Sequence, residues 1–487
     1  MRKPRRPQDF LEYEKVLRFG RKETKVEKMR LEGDIRVALV VPNSYEVAVS
    51  GLAFHHVQRL LNSHPRIRCE RFFYDESFEK FYSLESQTPI DEFPIWLFSV
   101  SFENDFLNLL DILKRKGIPL LWQEREDHHP LVIAGGAVTY LNERFLLPVV
   151  DAVYFGELEK YLMDFLEALT KRSKRSALEY LSKIPSMNVP PLSKSHSEVA
   201  GGVNLNDFLP HASVAPQVGV FPRKLLVEIG RGCIRRCAFC VFGRNLKPAR
   251  FVTPDNFERL VRSLSYDEYG LISATVTDYP WLEDLLNIVE KYGLKISVSS
   301  LRLDRLSERL LRVLKSSGQE SFTIAPESGS RRIRDILKKD ISDQQIENAL
   351  KIARNVGFGR IKMYFIYGLV EETEEDLRAV RKIGDMAFEM GYKEVHMSFN
   401  PLIPKPGTEF ETRKMESFDE LRRKEKFLRN LLKGFRVDFE SLRESVVQYT
   451  IAHSSEDEVI EWVKFFQKKN KRELKKTIFD EGRKRLC

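Results

Sequence analysis

From Ile35 onward the chain alternates short β-branched and aromatic runs with stretches of helical periodicity, and this alternation constrains the fold most. Ile35–Pro42, Ile67–Tyr74, Ile95–Ser101, Leu131–Ala134 and Ala152–Phe155 read as buried strands. Leu52–Leu61, Phe106–Lys116 and a long amphipathic segment to about Arg175 read as helices. Strands that are apolar throughout and separated by helices belong to a parallel sheet covered on both faces. Residues 35–175 are therefore expected to form a doubly wound, Rossmann- or flavodoxin-like α/β domain. Ligands bind such sheets in the loops at the strand carboxyl ends. Here those loops are Asn43–Gly51, Ser99–Asp105, Gly135–Tyr140 and Gly156–Glu159.

A second alternation starts near Lys224. Strands are expected at Leu225–Gly230, Ile272–Thr277, Lys295–Ser299, Ser321–Ala325, Arg360–Tyr367 and Glu394–Phe399, with helices between them. Six β/α steps over 223–412 predict a (β/α)6 partial barrel, whose site again sits at the strand carboxyl ends. The Pro-, Ser- and Asn-rich stretch 176–222 reads as a linker. Residues 1–34 read as a basic helical arm, and 413–487 as a basic helical tail.

The 487 residues are 42% hydrophobic and 31% charged, enough apolar material for large cores. No apolar run reaches the ~18 residues of a membrane span, and the first residues hold none that could be a signal peptide. A cytoplasmic location without membrane contact is expected. The net charge of +9 is concentrated in residues 1–34 and 467–487. Basic ends can contact nucleic acid, although charge runs more often form a solvated face.

Five cysteines in so long a chain argue for a reducing compartment rather than a disulfide framework. Three of them, Cys233, Cys237 and Cys240, lie within eight residues, directly after the first strand expected for the barrel. Thiolates suit zinc and iron–sulfur clusters. Zinc sites usually close with four Cys or His ligands in paired spacing, and the chain has no second cysteine pair. A [4Fe–4S] cube held by three cysteines leaves one iron open for a substrate or cofactor. The loop also carries Arg235, Arg236 and Arg244, a poor composition for three merely buried structural cysteines.

Cys-x3-Cys-x2-Cys after the first strand of a six-step β/α barrel resembles the signature of the radical S-adenosylmethionine superfamily. The resemblance implies that Cys233, Cys237 and Cys240 bind a [4Fe–4S] cluster. The open iron would chelate S-adenosylmethionine, whose reductive cleavage yields methionine and a 5′-deoxyadenosyl radical. Phe239 matches the family's residue near the adenine. Ser299–Asp304 looks like a strand-end segment reaching ribose and carboxylate, through Ser300 and Arg302. Ala325-Pro-Glu-Ser-Gly-Ser330 resembles the family's Gly-x-Glu-Ser segment and makes Glu327 a ribose or amino-group contact. Tyr364–Leu369 and the following Glu371-Glu-Thr-Glu are similar to a Gly-x-Pro-x-Glu-Thr strand end, with Val370 in place of proline. Where the family's second strand ends in Gly-Gly-Glu, this sequence has Thr275-Val-Thr-Asp278, so Thr277 and Asp278 become the substitute acceptors. An electron donor such as flavodoxin or ferredoxin is implied as a partner.

The first domain resembles the cobalamin-binding domain fused ahead of many of these enzymes. Ser99, Ser101, Gly135, Gly136, Gly156 and Glu157 fall in its loop motifs. The usual Asp-x-His-x-x-Gly motif is absent after the first strand, and Asp127-His-His129 lies elsewhere, with Val132 where glycine belongs. His55 and His56 lie in an expected helix and read as packing or surface residues. The resemblance leaves two expectations open: cobalamin bound without this histidine, or a domain without cobalamin. With cobalamin, methyl transfer to an unactivated carbon is the favoured reaction. The alternatives are an RNA-modifying enzyme of the methylthiotransferase type and a non-enzymatic iron–sulfur protein that binds nucleic acid. No motif names the substrate.

Overall fold

The fold is mixed α/β with parallel sheets, described here from a computed structural model over residues 7–298 and 301–486. The chain divides into two compact units. The first comprises the chain up to Val203 together with Pro210–Leu226 and Ile451–Ile478.

Its sheet contains β1 (Ile35–Val41), β2 (Ile67–Phe73), β3 (Ile95–Ser99), β4 (Leu131–Gly135), β5 (Ala152–Tyr154) and β6 (Met187–Asn188) in the order β2-β1-β3-β4-β5-β6. The first five are parallel and β6 runs antiparallel. Val37–Val40, Phe72, Phe98 and Val132 are all but inaccessible, as expected of strands covered on both faces. The strand order reverses direction between β1 and β3, and this switch point opens a crevice at their carboxyl ends.

Three stretches differ in detail from the sequence expectation. The long helix to Arg175 is two helices, Leu162–Leu169 and Lys174–Leu181, because Ser173 and Ser176 form a capping box that starts the second. Residues 176–222, expected as a linker, supply β6 and Val214–Pro216, which pairs antiparallel with Glu23–Lys25. The arm is anchored rather than solvated where it is described. Glu12, on helix Pro7–Gly20, accepts hydrogen bonds from the backbone N of Glu79, Lys80 and Phe81 at 2.8, 3.0 and 2.5 Å. Glu23 pairs with buried Arg71 at 2.6 Å. The tail also contributes: the Asn142 amide donates to the carbonyls of Ala452 and Ser454, at 2.9 and 3.2 Å.

The second unit is centred on Val227–Thr450. Its strands are β7 (Leu225–Glu228), β8 (Glu268–Ile272), β9 (Lys295–Val298), β10 (Ser321–Glu327), β11 (Arg360–Tyr367), β12 (Glu394–Pro401) and β13 (Arg436–Phe439). They form a sheet β9-β8-β7 and a sheet β10-β11-β12-β13, with a parallel bridge between Leu301 and Ile324. The pairs of defined register are all parallel. Two strands correct the sequence reading. β8 ends at Ile272, where the expected strand began, because Thr275 and Asp278 fold the β-branched segment into a turn. The Thr275 hydroxyl donates to the Asp278 carboxylate at 2.8 Å, and the Asp278 N–H returns to the Thr275 carbonyl at 3.2 Å. β13 lies in the tail expected to be all helical. Its Arg-Val-Asp-Phe alternation is too short to register amid Lys- and Glu-rich helices, yet Phe439 stacks on Phe399 at 4.8 Å between centroids.

Candidate functional site

β7 delivers the chain to the three-cysteine loop. Gly230–Arg231 pairs antiparallel with Arg250–Phe251 and closes the loop's base. Gly232 has φ +82°, and a Cβ there would lie 2.0 Å from the Leu246 carbonyl oxygen, so only glycine fits. Deeper in the loop, the Ala238 N–H donates to Leu337 O at 3.0 Å, and Glu409 N–H donates to Ala238 O at 3.1 Å. Ala238 is buried among Ile333, Leu337, Leu369, Leu402 and Phe410, and Phe239 packs against that group. The middle of the loop is thereby pinned while the cysteines flank it.

Cys233, Cys237 and Cys240 are free, half-buried thiols lining one cavity of ≈ 460 Å³ at the strand carboxyl ends. Burial raises the Cys237 thiol pKa, against the opposing charges of Lys339 and Arg302. Among the described residues no three His, Cys, Asp or Glu side chains gather tightly enough for a single metal ion. A cubane asks something different, one thiolate for each of three irons, and three soft donors around an open cavity fit that demand.

The same cavity receives Phe239, Arg302 and Glu327. Glu327 ends β10 at φ +67°, a left-handed conformation uncommon for a non-glycine residue, which turns the chain at the cavity wall. Its carboxylate lies 2.9 Å from Lys339 Nζ. Lys339 also lines the cavity and escaped sequence reading; it follows helix Arg331–Ile336 in a Lys-Lys-Asp segment indistinguishable from surface. The Arg302 guanidinium donates to Asp340 O at 3.0 Å and lies 2.7 Å from Asp304. Ser300 lies outside the described residues.

Thr277 and Asp278 are not on the cavity wall; Ser273, Ala274 and Thr275 are. Thr277 Oγ1 accepts the Arg302 backbone N–H at 3.2 Å. Asp278 is gripped by Arg235 through two bonds of 2.6 and 3.0 Å. Burial pushes the Asp278 carboxyl up, but the bonds from Arg235 and Thr275 outweigh it and hold the group below the usual carboxylate range. Both residues therefore brace the site rather than face it. Because β8 stops early, the acceptor positions inferred from the motif fall beyond the wall.

In the first unit a cavity of ≈ 650 Å³ opens at the carboxyl ends of β1 and β3, at the switch point. Ser99 and Ser101 line it, as does Asp105, which the sequence reading did not single out. Asp105 accepts from the Asn43 amide at 2.6 Å and from Phe102 N at 3.1 Å, and burial pushes its carboxyl up to about 6. Gly135, Gly136, Gly156 and Glu157 do not line this cavity. Gly136 and Gly156 allow close backbone approach: a Cβ would lie 2.4 Å from Val100 O and 2.0 Å from Ala200 O. Glu157 N–H donates to Ala200 O at 2.9 Å. His55 and His56 are buried, bonded to Val49 O at 3.0 Å and to Glu159 at 3.2 Å.

Fold and site define an α/β protein whose three-thiol loop crowns the carboxyl ends of parallel strands. A family model for the N-terminal region of radical SAM proteins matches residues 53–190, and the Radical SAM superfamily model matches 227–383. An uncharacterized protein of Methanocaldococcus jannaschii is 30% identical over 432 residues, spanning 86% of this chain and 89% of that protein. An uncharacterized methyltransferase of Pyrococcus horikoshii is 26% identical over 57% of this chain and 61% of its own length. The fold is similar to that of the radical S-adenosylmethionine methyltransferase TsrM from Kitasatospora setae, solved with cobalamin and a [4Fe–4S] cluster. That likeness has a TM-score of 0.55 at 12% identity and covers 93% of this chain and all of that one. The chain belongs to the radical SAM superfamily and is an enzyme. Its non-enzymatic alternative is thereby set aside. Among the described residues no helix is long and apolar enough to cross a membrane.

Proposed function

We propose that the protein is a radical S-adenosylmethionine methyltransferase, and that Cys233, Cys237 and Cys240 hold its [4Fe–4S] cluster. The observation that carries this reading is the convergence of the three thiols with Glu327, Lys339, Arg302 and Phe239 on one cavity. When bound, the cluster supplies one-electron reductive cleavage of S-adenosylmethionine. The protein's own groups would position that molecule. Glu327 offers a carboxylate to its amino group or ribose, and Lys339 a cation to its carboxylate. Phe239 offers an aromatic face to the adenine. Arg302, fixed by Asp304 and Asp340 O, adds a second cation to the wall. The apolar residues packed around Ala238 fix the loop that carries the three cysteines.

Methyl transfer to an unactivated carbon, with cobalamin in the switch-point cavity, is the favoured reaction. Support comes from the cavity's size and place, from Ser99, Ser101 and Asp105 on its wall, and from relatives described as methyltransferases. A low-potential donor such as flavodoxin or ferredoxin would deliver the electron. The test is anaerobic reconstitution with iron and sulfide, reduction with S-adenosylmethionine present, and measurement of 5′-deoxyadenosine. Wild type should release it and Cys237→Ala should not; equal release overturns the reading. A corrinoid spectrum that survives desalting is expected, and its absence removes the cobalamin branch alone.

A further inference from the structure

Parallel sheets are almost always buried on both faces, and β10–β13 are not. Along β11 and β12 buried and half-buried residues alternate strictly. One face, with Ile361, Met363, Phe365, Val395, Met397 and Phe399, is apolar and sealed. The other carries Lys362 and Tyr364 on β11, His396, Ser398 and exposed Asn400 on β12, and exposed Asp438 on β13. Register places Lys362 beside His396, Tyr364 beside Ser398 and Ser398 beside Asp438.

This polar face adjoins the thiol cavity through β10, whose Ala325 lines the cavity. Ala325 follows Ile324, which pairs with Met363, and Glu327 pairs with Phe365, so a bulge places Ala325 and Pro326 together opposite Tyr364. Its polar groups are largely unused by the protein. Among the described residues the side chains of Tyr364, Ser398 and Asn400 have no hydrogen-bond partner, and Lys362 has no carboxylate partner. Lys362 Nζ instead lies 4.7 Å from the centroid of the Tyr364 ring. The other titratable groups are committed. His396 Nε2 is 2.5 Å from Asp438, and Arg436 is 3.0 Å from Glu394. A half-exposed lysine without a counter-charge, beside two hydroxyls and an amide, matches an oxyanion.

We propose that this inner face binds the methyl acceptor as a small molecule, or a small portion of one, bearing a carboxylate or phosphate that pairs with Lys362. Tyr364, Ser398 and Asn400 hydrogen-bond the part between that anion and the cavity. Lys362 stands one strand over from Ala325 and about two residues lower, so their backbones are roughly 8 Å apart by strand spacing and rise. The inference rests on the radical reading of the neighbouring cavity.

The test titrates the reconstituted protein with 31P-observed methyl phosphate and, separately, 13C-acetate, reading saturable line broadening. One probe should bind wild type; whichever does so distinguishes phosphate from carboxylate. Lys362→Ala should weaken that binding about tenfold or more, the scale of a lost charge-assisted contact. Lys362→Arg should retain it, as should exposed Lys351→Ala. Equal binding by wild type and Lys362→Ala, or no saturable binding of either probe to wild type, overturns the proposal. Circular dichroism and iron content confirm that each variant folds and loads, with Lys362→Gln, which keeps most of the stem, as the second charge-removing variant. Substrate-free 5′-deoxyadenosine release, measured alongside, separates the two readings. Its loss in wild type strikes the radical reading, whereas its retention with unaltered probe binding strikes this proposal alone.

Discussion

The Arg235–Asp278 pair offers the sharpest test of whether Asp278 braces the cluster loop or contacts the cofactor. Arg235 lies between Cys233 and Cys237, and its guanidinium bonds Asp278 at 2.6 and 3.0 Å. Asp278 is almost fully buried, whereas Arg235 is a fifth exposed and keeps a second carboxylate, Asp304, at 3.2 Å. Removing one partner of a fully buried pair costs about 3–5 kcal/mol. Solvent at Arg235 and the surviving Asp304 reduce that, so about 2 kcal/mol is expected here. The assay is a double-mutant cycle with Asp278→Asn, Arg235→Gln and both, read by urea unfolding of the cluster-free protein at neutral pH. The singles should each destabilise, and the double should cost about 2 kcal/mol less than their sum. At neutral pH the Asp278 contribution is complete, because its pKa is depressed in the folded state. It is lost only as pH falls through that lowered value. Strict additivity of the two substitutions would refute the brace. So would an Asp278→Asn protein of unchanged stability whose only defect is weakened S-adenosylmethionine binding.

Two other outcomes follow from the same geometry. Gly232→Ala should drop iron content after reconstitution well below wild type, since its Cβ would meet a backbone carbonyl at 2.0 Å, one residue before Cys233; full loading would show that the loop gives way freely. Glu372, buried in the loop between β11 and helix Glu374–Glu389, has its carboxyl pushed up to about 7 by burial, against the nearby Lys424 charge. Folding thus favours its protonated form, so stability is complete below the ordinary carboxylate pKa and declines as pH rises towards 7, by on the order of 3 kcal/mol. Glu372→Gln should flatten the denaturation midpoint between pH 5 and 8, and an unchanged slope would assign the titration elsewhere.

The features legible in the sequence share one property: their chemistry is local. The cysteine spacing, the strand runs of β1, β2 and β11, and Glu327 are each fixed by a few adjacent residues. Where reading went astray, a neighbour distant in sequence had decided the outcome. β-branched residues after Ile272 suggested a strand, but Thr275 and Asp278 fold back and Arg235 clamps the turn from 43 positions away. Gly136 and Gly156 looked like ligand loops because close approach to a ligand and close approach to a backbone both demand glycine. At both glycines the backbone approach, to Val100 and Ala200, is present.

Lys339 and Lys362 carry that lesson into the function. Each is one of many lysines, and in isolation neither differs from a solvated surface cation. Lys339 acquires a role because β10 turns at Glu327 and meets it at the cavity wall. Under the proposal, Lys362 acquires one because the parallel sheet leaves that face half-exposed and, among the described residues, no carboxylate pairs with it. In the proposed reading, the cysteines specify the chemistry. The proposed acceptor site lies instead in the polar row of β11 and β12, where half-exposed side chains alternate with buried apolar ones along each strand. That alternation is visible in the sequence, but it takes on meaning only once the sheet is known to be parallel, since an antiparallel sheet with a solvated face would show the same pattern and require no ligand.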